Sequence, residues 1–218
     1  SLQYTTAGYN NTAMGWRSLN SNVTGTNNVA IGYTALFTNT TGDYNTGIGS
    51  NALYFNTTAN FGTAVGQGAL KSNTTGPENT ASGYGALKDN TTGQRNTAIG
   101  KSSLGSNTTA NYNTASGNSA LSNNITGSNN TAHGYYALKS NTAANNTAVG
   151  KAALYDNTTG AQNTASGYRA LKSNTTASFN TASGYYALKM NTTGTKNTAV
   201  GNIALTANTT GLLNIGVG

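Results

Sequence analysis

The stretch "NTASGYGALKDNTTGQR" at residues 79–95 decides the fold, because nearly the whole chain consists of variants of it. The preceding segment, 62–78, reads "GTAVGQGALKSNTTGPE", and the following one, 96–112, reads "NTAIGKSSLGSNTTANY". Successive units begin 17 residues apart, except for one step of 16 between Asn130 and Asn146. We number the positions of the consensus N-T-A-x-G-x-x-A-L-x-x-N-T-T-G-x-x from 1 to 17 and call each set of equivalent residues a column. Such a strict repeat indicates a stack of like units.

The length of the unit favours a β-solenoid. Helix–turn–helix repeats and propeller blades need roughly 33 residues or more per unit, and Gly, Asn and Thr recur in every possible helical stretch. We therefore predict an all-β, parallel β-solenoid of 17-residue coils, forming a single array of about thirteen coils over residues 1–218. Short strands are expected near T-A-x-G and x-A-L, with turns at N-T-T-G. At a strand spacing of about 4.8 Å, such a stack would be about 60 Å long.

The columns predict how each coil packs. Leu in column 9 is the one large apolar ladder and should form the core, while the small residues of columns 3 and 8 pack beside it. Gly in column 5 suits a tight corner or a close backbone approach. Stacked Asn side chains in columns 1 and 12 can bond to one another and satisfy turn backbone. The 16-residue unit should have a shortened surface turn that leaves the ladder of Leu138 and Leu154 undisturbed.

Column 4 behaves differently because it accepts both apolar and polar residues. One coil holds only one or two large apolar side chains, which is a thin core for a lone solenoid. We therefore predict that several chains associate laterally and that column 4 lies at or close to their contact. From the first unit to the last, the column contains Met14, Ile31, Ile48, Val65, Ser82, Ile99, Ser116, His133, Val149, Ser166, Ser183 and Val200.

Composition excludes several classes of protein. Only 7% of the residues are charged, and the net charge of +7 comes from eleven Lys and Arg against four acids. Spread along an array, this charge favours anionic surfaces but is too dilute to define a specific nucleic-acid groove. The absence of cysteine excludes disulfides and thiolate metal sites. No apolar run of about 18 residues predicts a membrane span, and no signal segment is visible at Ser1. Since the array opens and closes within a repeat, we expect a segment of a longer fibre.

No motif in the sequence predicts an enzyme. "GKSS" at 100–103 lacks the first Gly of a phosphate-binding loop, because Arg95 stands there. His133 is the only histidine; it is either a polar filler or, in a trimer, one of three copies that converge on an anion or metal. Asp43 and Glu78 lie two coils apart, about 9–10 Å, at the limit for an inverting glycosidase pair. Nothing near them would raise a pKa, so we predict no catalytic site, no cofactor and no metal.

Tyr in column 6 and Lys in column 10 occur together in several units. Such pairs would form a stripe of rings and ammonium groups along one face, suited to glycans, anionic surfaces or a neighbouring chain. Alternatively, Tyr shields the backbone of each coil while Lys keeps the array soluble. The pairs are Tyr84 with Lys88, Tyr135 with Lys139, Tyr168 with Lys172, and Tyr185 with Lys189.

Column 12 spells the glycosylation motif N-x-T in eleven units. Either these Asn residues carry glycans or they form a turn ladder in which the motif follows from composition. The residues are Asn22, Asn39, Asn56, Asn73, Asn90, Asn107, Asn124, Asn157, Asn174, Asn191 and Asn208. Asn10, Asn129 and Asn145 begin further copies of the motif outside this column.

The stretch "NVAIGYTAL" at 28–36 resembles the N-x-V-A-I-G-x-x-A motif of trimeric autotransporter adhesin heads. The longer unit "NTAVG…AL…NTTG" is similar to repeats of bacterial and phage tail-fibre proteins. The resemblance implies a left-handed parallel β-roll, assembly as a parallel homotrimer, and a location outside the cell, on its surface or on a virion. The unit of 17 residues is longer than that of the adhesin heads, and the additional residues lie in N-T-T-G.

These features together predict a structural and adhesive fibre segment that presents repeated weak contacts. Thr in columns 2, 13 and 14 leaves open an ice-binding solenoid with a flat Thr array. A phage tail-fibre shaft with receptor binding is a further alternative. An enzyme such as a tail-spike glycosidase comes last, because no convergent site is visible.

Overall fold

The structure is a computed structural model, and it describes residues 7–218. The chain divides into two compact units, Ser1–Tyr112 and Asn113–Gly218, and the first is described from residue 7 onward. In each unit the chain forms a parallel β-solenoid with one coil per sequence repeat. The prediction of an all-β, parallel β-solenoid of 17-residue coils is confirmed for both units.

Each coil contributes one three-residue strand, formed by columns 2 to 4. Within a unit, successive strands pair in parallel and in register, so that Thr46 lies beside Thr63 and Thr164 beside Thr181. The first unit contains β1 (Thr12–Met14), β2 (Val29–Ile31), β3 (Thr46–Ile48), β4 (Thr63–Val65), β5 (Thr80–Ser82) and β6 (Thr97–Ile99). The second unit contains β7 (Thr114–Ser116), β8 (Thr131–His133), β9 (Thr147–Val149), β10 (Thr164–Ser166), β11 (Thr181–Ser183), β12 (Thr198–Val200) and β13 (Ile215–Val217).

The core of each coil consists of one Leu and two small residues. Leu53 and Leu171 are fully buried, as are their neighbours Ala52 and Ala170 in column 8 and Ala165 in column 3. Burying one Leu side chain contributes about 1.5–3 kcal/mol, so each coil adds a similar, modest increment. The predicted Leu ladder and its small neighbours are confirmed.

The second strand predicted near x-A-L does not form. Leu36 has a φ of 51°, and Thr34 in column 7 has a φ of 52°, so this part of the coil is a turn. The Leu36 amide nevertheless donates to the Ala52 carbonyl of the next coil at 3.0 Å. A left-handed conformation costs an L-residue about 1–2 kcal/mol. The turn brings the Leu side chain into the core while the backbone bond between coils is kept, and neither Leu nor Thr favours this conformation from sequence.

Gly in column 5 makes the predicted close approach. Gly49 has a φ of 129°, and a Cβ atom added to it would lie 2.7 Å from the carbonyl carbon of Gly66 in the next coil. Any side chain would therefore collide with backbone that cannot move without breaking the stack. This contact explains why column 5 contains only Gly in both units.

Asn in column 12 forms the predicted side-chain ladder. Asn39 Nδ2 donates to Asn22 Oδ1 at 2.8 Å and to the Gly42 carbonyl at 3.0 Å. Column 1 bonds chiefly to backbone: Asn28 Oδ1 accepts from the Asn45 amide at 2.9 Å, and Asn28 Nδ2 donates to the Gly42 carbonyl at 2.8 Å. The Asn residues thus satisfy buried turn backbone, which would otherwise destabilise each coil.

The 16-residue coil loses its residue from the surface turn, as predicted. Asn141 Nδ2 donates to the Ala143 carbonyl two residues on, whereas Asn157 in the next coil reaches Gly160 three residues on. Leu138 remains fully buried and its amide donates to Ala153 at the usual 3.0 Å. The missing residue is therefore the second Thr of the N-T-T-G turn.

Candidate functional site

Two outward surfaces differ between coils and are therefore candidates for function. Successive side chains of a strand point to opposite faces, so column 3 faces the core while columns 2 and 4 face outward. We call columns 2 and 4 the sheet face. The second surface lies beside the turn that follows the strand, where columns 6 and 7 face column 10. We call the space between these columns the groove.

In the first unit the sheet face carries an apolar strip. Met14 is 63% exposed, Ile99 48%, Val65 40% and Ile48 37%, and Ile31 is partly exposed. Paired strands lie about 4.8 Å apart, so β1 to β4 bring four of these side chains next to one another. Contiguous exposed apolar side chains of this kind mark interaction surfaces more often than scattered ones do.

In the second unit the same column is mostly polar. Its strands β7 to β12 carry Ser116, His133, Val149, Ser166, Ser183 and Val200. The side chain of His133 is exposed in β8. Among residues 7–218, no group of three or more His, Cys, Asp and Glu side chains is placed to hold a metal ion.

The groove of the second unit has a gap in its floor. Tyr136, Ala152 and Arg169 succeed one another in column 7, and Ala152 is only 7% exposed because its long neighbours rise above it. Because Ala152 has only a methyl group, a space of 330 Å³ opens between these two longer side chains. Its lining consists of Tyr135, Tyr136, Lys151, Ala152, Tyr155, Arg169 and Lys172.

Cations and rings alternate around this gap, although they contact different partners from the pairs suggested by the sequence. Lys139 lies over Tyr136 at 4.7 Å and over Tyr155 at 5.2 Å, instead of over Tyr135. The side chain of Lys139 in column 10 thus contacts column 7 of its own coil and column 10 of the next coil. Further contacts join Lys151 to Tyr135 at 5.7 Å and Tyr168 at 6.0 Å, Arg169 to Tyr168 at 5.2 Å, Lys172 to Tyr155 at 5.4 Å, and Lys189 to Tyr186 at 4.4 Å.

Hydrogen bonds hold several of these groups in place. Lys139 Nζ donates to the Tyr155 hydroxyl at 3.2 Å, which raises the pKa of Lys139. The pKa of Tyr186 is lowered, first by a hydrogen bond from Tyr185 and then by one from Arg169. The hydrogen bond of Lys139 favours its charged form, so this lysine keeps its proton to higher pH, whereas the lowered pKa of Tyr186 favours the phenolate.

Acidic side chains neutralise little of this charge. Lys172 Nζ lies 3.3 Å from Asp156 Oδ2, the one ion pair of the second unit among residues 113–218. The second unit holds six Lys and Arg against this single acid, a net charge of +5. The groove therefore keeps a net positive charge.

The groove of the first unit is richer in aromatic rings, and its cations are Arg17 and Lys71. Trp16 stacks on Tyr33 with centroids 4.8 Å apart, and Phe37 stacks on Tyr54 at 5.1 Å. Between the two stacks, Thr34 Oγ1 donates to Asn51 Oδ1 at 2.8 Å and forms a polar floor. The space measures 420 Å³ and is lined by Trp16, Arg17, Tyr33, Thr34, Phe37, Asn51, Tyr54, Phe55 and Lys71.

Sequence reasoning missed this first groove because it followed only the coincidence of Tyr with Lys. The sequence does contain a signal for this groove, namely the aromatic residues at columns 6 and 10 of the first three coils. The predicted pair Tyr84 and Lys88 lies outside both linings. Lys101 lies 6.0 Å from the Tyr84 ring, and Lys88 lies 3.9 Å from Asp89. Of the other three pairs, only Tyr135 and Lys172 belong to the second lining. Lys139 and Tyr168 contact residues of that lining, whereas Tyr185 and Lys189 lie outside it.

The N-x-T motifs of column 12 lie in the core. Ten of the eleven Asn residues are fully buried, and Asn208 is partly exposed with its amide bonded to Asn191. Because both hydrogens of a buried amide such as that of Asn39 are already donated, a glycan cannot be attached without unfolding the coil. Burial therefore favours the turn-ladder interpretation of Asn22, Asn39, Asn56, Asn73, Asn90, Asn107, Asn124, Asn157, Asn174 and Asn191.

The two acids considered as a glycosidase pair have structural partners. Asp43 Oδ1 accepts from the Thr26 amide at 2.6 Å and from its hydroxyl at 2.9 Å. Glu78 forms an ion pair with Arg95 at 2.9 Å, and the hydrogen bond from this guanidinium lowers the pKa of Glu78. A general acid needs a raised pKa, so the environment of Glu78 shifts it away from that role.

Comparison with known proteins gives no relative from which a function could be inferred, so a proposal must rest on these surfaces. No family model matches the chain, and neither do any curated proteins or solved structures. The resemblance to adhesin heads and tail-fibre repeats therefore rests on the repeat itself. Residues 7–218 contain no helix that is long and apolar enough to cross a membrane.

Proposed function

We infer that this chain is a structural and adhesive segment of an extracellular fibre on a cell surface, filament or virion. In this proposal its chains associate laterally, as a parallel homotrimer, and present repeated weak contacts to a surface. The observation that carries the proposal is the apolar strip of the first sheet face, where Met14, Ile31, Ile48 and Val65 are partly or largely exposed on four successive coils.

The thin core supports association. Each coil buries one Leu and two small residues, so its apolar stabilisation is small beside the entropy of ordering about 17 residues. Covering the strip would remove further apolar area from water at about 25 cal/mol per Å². A parallel arrangement would place identical columns of neighbouring chains at the same height, so that every apolar coil contributes to the interface.

Adhesion follows from repetition. A homotrimer would carry three copies of each groove, and linked weak sites raise the overall avidity far above that of one site. An ice-binding function has less support, because many column 13 hydroxyls already bond to backbone. Thr40 Oγ1 donates to the Thr57 carbonyl at 3.0 Å, for example.

Substitution of the strip tests the proposal. Ile48→Asp with Val65→Asp places two carboxylates on the apolar face and should reduce the mass measured by light scattering from three chains to one. Ser166→Asp with Ser183→Asp adds the same charge to the same column of the second unit and should leave the mass unchanged. Far-ultraviolet circular dichroism of each variant separates dissociation from unfolding. A wild-type mass of one chain, or a double variant with the wild-type mass, would contradict lateral association.

A further inference from the structure

We propose that the groove of the second unit binds a carboxylate-bearing saccharide, with a sugar ring in the gap above Ala152 and its carboxylate facing Lys151 and Arg169. This inference names a ligand for the proposed adhesive function and in that respect depends on it. The binding site itself lies within one unit of one chain.

The shape of the gap comes from a single small residue. Ala152 stands between Tyr136 and Arg169 in column 7, and the space above it measures 330 Å³. This volume is at the lower end of the range of about 300–1,000 Å³ that is typical of small-molecule sites. The gap is therefore large enough for a saccharide unit, and longer chains would continue along the groove.

The charge around the gap favours an anion. Lys172 is paired with Asp156, and Lys139 donates to the Tyr155 hydroxyl, so these two cations are partly engaged. Arg169 lines the gap, and its Nη1 donates only a long hydrogen bond, 3.4 Å, to the Tyr186 hydroxyl. A ligand carboxylate at the outer end of the guanidinium would form charge-assisted hydrogen bonds, for which the planar donor fork of Arg is suited.

The rings around the gap favour a sugar over a nucleobase. Tyr135 is 42% exposed and offers a flat apolar face. Tyr168 and Tyr185, which lie outside the lining, already stack on each other with centroids 5.4 Å apart. Single-stranded nucleic-acid sites stack successive bases on several exposed rings, so the single free face at the gap suits one sugar ring better.

Filling the gap provides the test with the least disturbance of charge. Ala152 has a φ of 55°, and Tyr186 occupies the same column with a φ of 57°, so Ala152→Tyr should fold normally and fill the gap. Calorimetry of the full chain with a galacturonate hexasaccharide should show binding that Ala152→Tyr weakens about tenfold or more. Ser119→Tyr, at a φ of 55° in the same column but outside the lining, should bind as the parent does.

The ligand supplies the second control. The methyl-esterified hexasaccharide keeps the rings and loses the carboxylate charge, so it should not bind measurably. Arg169→Gln should also weaken binding of the acidic form about tenfold. Equal binding of the ester, or unchanged affinity in Ala152→Tyr, would refute the site. Binding of an oligothymidylate that Ala152→Tyr abolishes, without binding of the saccharide, would assign the groove to nucleic acid instead.

The ligand and the fibre can fail separately. If the parent has the mass of three chains but does not bind galacturonate, only the ligand is wrong. If the parent has the mass of one chain and binds galacturonate at Ala152, the trimeric fibre is wrong and the site stands. Light scattering and calorimetry on the same sample therefore distinguish the two proposals.

Discussion

The first unit carries Met14, Ile48 and Ile99 on its sheet face, whereas the second carries Ser116, His133 and Ser166 in the same column. Their grooves differ as well, since two cations lie among five aromatic rings in the first lining and three cations among three rings in the second. The first unit as a whole has a net charge of +2 and the second a net charge of +5. Both units nevertheless bury the same Leu, Ala and Asn columns. The comparison indicates that the core columns define the coil, while columns 4, 6, 7 and 10 give each unit its own surface chemistry.

The largest expected effect tests whether the cores are equivalent. Leu70→Ala in the first unit and Leu171→Ala in the second each remove a fully buried side chain. Each should lower the free energy of unfolding by about 2–5 kcal/mol, because the stacked backbone cannot close the cavity. Denaturant titration followed by circular dichroism measures both. Values that differ by more than a factor of two would mean that the two cores are not alike.

Much of this shared core could be predicted from sequence. A Leu in every copy of a polar repeat has few roles other than core, and Asn22 and Asn39 stack because the period brings them together. The prediction of a second strand near x-A-L was wrong because Leu36 adopts a positive φ, which no property of Leu favours. The gap above Ala152 was missed because it depends on the length of the side chains in the neighbouring coils. The rings that Lys139 contacts were also not predicted, because they depend on the path of the turn between columns 7 and 10.

A smaller effect tests the contrast in charge. Lys139, Lys172 and Lys189, all changed to Gln, remove three charges from the second groove. Retention on a polygalacturonate column at low salt should fall about tenfold, and the salt dependence should flatten, because exposed cationic contacts are screened by salt.

Three lysines of the first unit supply the matched control. Lys71, Lys88 and Lys101, all changed to Gln, alter the net charge of the chain by the same amount. This variant should remain on the column at the salt concentration that releases the other one. Equal loss of retention in the two variants would show that net charge, and not the second groove, holds the polymer.

The smallest expected effect concerns an ion pair of the first unit. Arg95 lowers the pKa of Glu78 below its usual value of about 4.3. Such a group contributes stability above its unfolded pKa and loses that contribution as the pH falls through its folded pKa. Because both side chains are about half exposed, the change should be slight.

Column 17 of the second unit offers Gln162 as a neutral equivalent of Glu78. Glu78→Gln should therefore abolish this part of the acid dependence and leave stability at neutral pH nearly unchanged. Carbon-detected NMR titration of the Glu78 carboxyl group measures the pKa directly. A midpoint at or above the usual value would contradict the ion pair.

The ladder of column 12 has a consequence for how such a chain changes over generations. Asn56 donates to Asn39, and Asn39 donates to Asn22, so each rung bonds to its equivalent one coil away. Gain or loss of a whole 17-residue unit by unequal recombination would recreate the same bonds at the junction. The array can therefore vary in length at little cost in folding, while each duplicated coil is free to acquire a new residue at its surface.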